Sequence, residues 1–270
     1  MNGQYDKELK EIEFYKIHPE YLPFVGDKYD EFKILHVGES HFIPQEKGSN
    51  DLFSIVYFNE NWWENACEEL KNCQQKNSHN EKGYRWGGWF QTKSVVNNYL
   101  NGERTRSHGI FTEMVKVFGA VYQNRMIPHI NDEEAKNYDH FAFMNFFQMP
   151  ALYAGMKYWT SLKKSALKFG MTRKEANAYA EKVWDDTVRK SSDVLDSVID
   201  ILDPSIVIFT SKSAADAYKG KYKNTPKVIT TVHPASPHWH TIRKGQSGKK
   251  RLIAQWNVLR QSNTTPCQKP

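Results

Sequence analysis

The chain reads as an α/β protein, a three-layer α/β/α sandwich around a central sheet of four mostly parallel strands. Two observations predict this. Four short runs, at 32–37, 141–146, 205–210 and 227–232, are nearly continuous in apolar, β-branched and aromatic residues, and the segments between the later runs repeat apolar residues at helical spacing. A strand covered on both faces loses the alternation of a half-exposed sheet, and strands of that kind belong to parallel sheets flanked by helices. The length, 270 residues, suits one domain with a full core, taken as residues 1–260.

In chain order, the first run carries Ile34, Leu35 and Val37 and ends at Gly38. A long insertion is expected at about 43–139. It holds Trp62, Trp63, Trp86 and Trp89, a glycine-rich loop at 83–89 and an amphipathic helix around 112–118. The second run, through Phe143 and Phe146, is followed by helix-forming sequence over 151–188, which crosses back toward the third run. Over 193–202, Val194, Leu195, Val198, Ile199 and Leu202 share one helical face, and Asp203 with Pro204 ends it. Ser211, after the third run, stands where a helix N-cap belongs. Beyond the fourth run, Leu252, Ile253, Trp256 and Leu259 mark a last helix over 249–259, and polar residues 261–270 read as a disordered tail.

Composition removes several chemistries. Cys67, Cys73 and Cys267 lack C-x-x-C spacing, so no disulfide framework, zinc site or four-thiolate cluster is expected. No phosphate-binding or dinucleotide-binding glycine motif is present, and neither a cofactor nor a metal is expected. The first residues lack a signal-peptide core and no run approaches the length of a membrane span, so a cytoplasmic protein, a monomer with no membrane partner, is expected.

Net charge is +6, and it is concentrated. Residues 211–251 hold ten Lys or Arg against the single acid Asp216, a segment charge of +9. A basic face of this kind favours a polyanionic partner, and it also suits a plain solvated surface.

Three strand ends carry polar residues that parallel strands would bring to one rim. Gly38, Glu39, Ser40, His41 and Phe42 follow the first run, Asn145 lies in the second, and His233, Pro234, Ala235 and Ser236 follow the fourth. In open α/β sheets that rim is where ligands bind. A strand-end histidine can equally plug a loop start, and a strand-end asparagine can bond its own turn. Together the set resembles the uracil-DNA glycosylase superfamily, whose members carry a Gly-led water-activating loop after the first strand, an asparagine at a strand end and a His-Pro loop after the last strand. Phe53, 15 residues beyond Gly38, falls where first-loop members place the aromatic that stacks on the extruded base.

The resemblance implies a monofunctional DNA glycosylase that flips a pyrimidine and hydrolyses its N-glycosidic bond, leaving an abasic site. His233 would donate a hydrogen bond to the departing base, with Glu39 and Ser40 as the further catalytic residues at the water. Asn145 would read the base edge, with Phe53, Phe42 and His41 around it. Ser236, His238, Trp239, Arg243, Lys244 and Lys212 would contact DNA, His238 or Trp239 as the wedge that opens the stack, although Trp239 equally suits packing. Ser40 replaces the aspartate of the best-known branch, which passes water activation to Glu39 or leaves a catalytically silent DNA- or nucleotide-binding relative. His41 and Phe42 replace the residues that shut out groups at C5, so uracil or a C5-modified pyrimidine, such as a glycosylated phage cytosine, is the expected base, in base-excision repair or anti-phage defence.

Overall fold

The computed structural model describes residues 3–42, 63–64, 91–103, 108–151, 157–220, 226–242 and 246–261. In chain order the elements are α1 (Gly3–Leu9), α2 (Glu13–Ile17), β1 (Phe24–Val25), α3 (Tyr29–Phe32) and β2 (Ile34–Phe42). There follow α4 (Thr92–Leu100), α5 (Gly109–Tyr122), α6 (Asp132–Ala135), β3 (Phe141–Ala151), α7 (Tyr158–Lys168) and α8 (Arg173–Leu202). The last are β4 (Ile206–Phe209), α9 (Lys212–Ala217), β5 (Lys227–Thr230), α10 (Pro237–His240) and α11 (Gly248–Gln261). The α/β sandwich expected from the sequence is present, with five strands rather than four.

The sheet order is β1-β3-β2-β4-β5, parallel except for β1, which pairs antiparallel with β3 through Phe24 to Phe143 and Val25 to Ala142. Two residues are too short for any periodic signal, which is why β1 was not expected. Phe32, expected in the first strand, instead ends α3, and Lys33 caps that helix in the left-handed conformation at φ 50. At its other end β2 runs on to Phe42, because Gly38 and Ser40 pair with Asn145 and Phe147 of β3. The residues expected as a loop are thus mostly strand.

Two helical layers cover the sheet. Leu35, Val37, Met144, Phe146, Val207 and Phe209 face α7, α8 and α9 in one core cluster. Ile34, Phe143, Ile206, Ile208 and Ile229 face α4, α5, α10 and α11 in the other. The described part of the section expected as an insertion therefore supplies much of the second layer. α8 is long because its ends are well stopped: Thr172 and Glu175 form a capping box, and Asp203 closes the helix at φ 43 before Pro204. No helix of the described residues is long and apolar enough to cross a membrane.

β2 is where the chain changes direction across the sheet. It leaves β2 for β3 on one side, then returns through α7 and α8 to β4 on the other. The carboxyl ends of the strands around β2 thus form the crevice at which open α/β sheets take their ligands.

Candidate functional site

Alternation along β2 divides its polar end between two faces. Glu39 follows Leu35 and Val37 toward the α7 and α9 side. One carboxylate oxygen accepts the Tyr158 N–H of the first turn of α7 at 3.3 Å, and the other accepts the Ser211 hydroxyl at 2.8 Å. Ser211 also caps α9 by accepting Ala214 N–H at 3.3 Å. The Tyr158 ring stacks on Phe147 with centroids 4.3 Å apart, which fixes the start of α7 against β3. Burial pushes the Glu39 carboxyl up, and Ser211, the Tyr158 N–H and Lys157 oppose it. The outcome is a partly desolvated, more basic carboxylate clamped between two helix starts.

Gly38 and Ser40 lie on the opposite face, with Asn145. A β-carbon on Gly38 would come within 2.4 Å of Asn145 Oδ1 and 3.3 Å of the Phe143 ring, so glycine makes room for the asparagine side chain. Asn145 is held by its backbone: buried Gln148 donates from Nε2 to its carbonyl at 2.6 Å and to that of Phe146 at 3.3 Å. Neither the Asn145 amide nor the Ser40 hydroxyl has a hydrogen-bond partner among the described residues.

His233 stands beyond β5, on a loop fastened by a Ser236 N–H to His233 carbonyl bond of 2.8 Å. Its Nδ1 accepts the Ala235 N–H at 3.0 Å, which places the ring proton of the neutral form on Nε2. That Nε2–H has no partner among the described residues. Burial lowers the proton affinity of the ring, so the neutral donor form prevails at neutral pH.

Under this loop lies a histidine that the sequence did not single out. His36 is fully buried in β2, with Nδ1 2.6 Å from Tyr138 Oη and Nε2 2.9 Å from Thr210 Oγ1. Thr210 donates its own proton to the Val37 carbonyl at 3.2 Å, so it accepts from His36 Nε2–H and Tyr138 donates to Nδ1. Burial, and then the nearby His233, lower the His36 pKa to about 3. A lone histidine within an apolar run carries no signal of its own.

Two sequence expectations are corrected. Trp239 is fully buried and donates from Nε1 to Glu113 at 2.8 Å, so it packs against α5 and cannot reach DNA; His238 and His240 are the exposed rings of α10. His41 is also buried, with Nε2 3.2 Å from Thr92 Oγ1 and its ring 5.0 Å from Tyr21, which assigns it to packing rather than to a base pocket. Ser236 caps α10 through the His238 N–H at 3.3 Å, and Lys212 is exposed at the start of α9. Phe53, Arg243 and Lys244 lie outside the described residues, as does the side chain of Phe42. Among the described residues no cluster of His, Cys, Asp or Glu could hold a metal ion.

The fold and the site together define an open α/β sheet whose strand ends carry, among the described residues, an amide and an imidazole N–H without hydrogen-bond partners and a partly buried carboxylate. No family model, curated protein or solved structure matches the chain.

Proposed function

We propose that the chain is a monofunctional DNA glycosylase, cytoplasmic, acting on a flipped pyrimidine, uracil or one modified at C5, in repair or in defence against phage DNA. One observation supports the reading: at the carboxyl ends of the parallel strands, the Asn145 amide and the His233 Nε2–H are both directional, and neither has a hydrogen-bond partner among the described residues. The amide offers a donor and an acceptor to one pyrimidine edge. The imidazole offers a donor to a pyrimidine carbonyl oxygen.

In the reaction the bond from C1′ to the base nitrogen breaks, and its electron pair leaves with the base. The transition state then carries positive charge on the sugar and negative charge on the base. His233 Nε2–H stabilises the base anion, and loss of one such preorganised donor costs ~10²–10³ in rate. Glu39, at the edge of the crevice, holds the water that bonds to C1′ and takes its proton, while Ser40, on the opposite face, offers its hydroxyl to the base beside Asn145. Exposed Lys212, Lys219, Lys250 and Arg251, with His238, offer cations and a ring to the flanking phosphates and bases.

A second reading, a catalytically silent DNA- or nucleotide-binding protein, is favoured by the engagement of both Glu39 oxygens with protein donors. Incubation with DNA bearing uracil, 5-substituted pyrimidines or glycosylated phage cytosines, followed by alkali, separates the two. The glycosylase leaves alkali-labile sites on at least one substrate, resists borohydride trapping, and loses base release by at least ~10²-fold in His233→Ala with DNA binding largely kept. Binding without cleavage on every substrate establishes the silent reading, and efficient release of uracil with none from phage DNA removes the preference for C5 groups.

A further inference from the structure

A histidine with both ring nitrogens engaged, at the centre of a parallel sheet and among Ile34, Phe143 and Ile208, calls for a reason. Burying three polar side chains costs free energy that an apolar trio of the same shape would not, and such networks persist where they fix a unique arrangement. Tyr138, His36 and Thr210 are each fully buried, and the relay is complete: Tyr138 donates to His36, His36 to Thr210, and Thr210 to the Val37 carbonyl. The same Val37 carbonyl accepts the Thr210 backbone N–H at 3.0 Å. The relay thus closes the β2–β4 seam at the last residue before the crevice.

Its position links it to both halves of the site. Thr210 immediately precedes Ser211, whose hydroxyl holds Glu39. Thr231, two residues before His233, bonds through its N–H to the Phe209 carbonyl at 2.9 Å, so the His233 loop leaves β5 directly beside the end of β4 that Thr210 ties to β2. We propose that His36 is a positioning residue, which through Tyr138 and Thr210 sets the width of the β2–β4 crevice and thereby the placement of Ser211 against Glu39 and of His233 above it. Its uncharged ring also keeps a second positive charge away from His233.

This inference draws on the glycosylase reading for one readout alone, so the two can fail separately. The test uses the full chain and two near-isosteric variants, Tyr138→Phe and Thr210→Val, with His36→Gln as the conservative replacement, since a glutamine amide can accept from Tyr138 and donate to Thr210. Imidazole nitrogen NMR on the wild type is expected to show His36 with its proton on Nε2 and Nδ1 bare between about pH 5 and 8. In Thr210→Val the His233 titration rises toward the ordinary value of 6.5 as its loop loosens, and His36→Gln restores it relative to His36→Leu. Where base is released, Thr210→Val lowers that rate by ~10-fold or more through misplacement of the reacting groups. A His36 ring that titrates near 6.5, carries its proton on Nδ1, or whose partners can be removed without moving the His233 titration overturns the inference. An intact relay in a protein that releases no base overturns the glycosylase reading and leaves the positioning role standing.

Discussion

At Gly38 the strand has no room for a side chain on the face where Asn145 crosses it. Gly38→Ala is expected to push the Asn145 amide off the rim, reducing base release as far as Asn145→Ala does while costing about 1–3 kcal/mol of stability by overpacking. Single-turnover release and thermal melts of both variants check this; a fully active Gly38→Ala would show that Asn145 does not act from this position. His233, Asn145 and Glu39 were legible because each is a polar residue at or near the end of an apolar run, where a strand meets solvent. His36 was not, since its partners Tyr138 and Thr210 lie 102 and 174 residues away. The split of Glu39 and Ser40 between two faces was hidden as well. It follows from strand pairing that carries β2 past Gly38, and pairing partners are not encoded locally.

Among the elements, α10 shows how the His233 loop is held. Trp239 and Lys249 both reach one oxygen of Glu113, at 2.8 and 3.0 Å, while Lys116 holds the other at 3.0 Å. One carboxylate therefore ties α10, α11 and α5 together. Burial pushes Glu113 up, but these three donors outweigh it and hold the group at about 2. Glu113→Leu leaves the Trp239 N–H buried and unpaired, at a cost of about 1–3 kcal/mol, and amide hydrogen exchange over 233–240 should accelerate. Unchanged exchange there would mean that the loop is fixed without the tether. The helix ends of α8 and α9 were readable from Asp203 with Pro204 and from Ser211, because capping is chemistry of adjacent residues. The burial of Trp239 was not, since a short aromatic segment looks the same whether it packs or protrudes.

For the molecule as a whole, acid should destabilise the fold in two stages. His36 stays neutral when folded, with a pKa of about 3 against 6.5 unfolded, so its share of stability is complete above 6.5 and is lost as pH falls toward 3. His108, His140 and His233, each lowered by burial, act in the same direction. Glu113 carries stability above 4.5 that disappears as pH falls toward 2, whereas Glu39, raised by burial, is relieved by protonation. Denaturant unfolding at several pH values should give a slope between 6.5 and 4.5 that is visibly shallower in His36→Gln; an unaltered slope would place the titration elsewhere. Binding to DNA should weaken steeply with salt, because each phosphate contact releases counterions. An affinity flat from low to moderate salt would reduce the lysines to a solvated surface. Fold class was legible at this scale, from runs dense enough to demand two covering layers; the strand order was not, because nothing in a strand states its neighbour.

The central position of β2 has a consequence for how the protein is made. Its partners in the sheet arrive late, with contacts to His36 alone closing across 102 and 174 residues. A nascent chain therefore carries this strand, and its apolar Ile34, Leu35 and Val37, with both edges bare until more than half of the polypeptide has been synthesised. Sheets built from such distant pairings fold slowly, and their unfinished forms are prone to associate. Assembly of this sheet accordingly belongs to the completed chain, and yield on expression should respond to chaperone supply more than native stability would suggest.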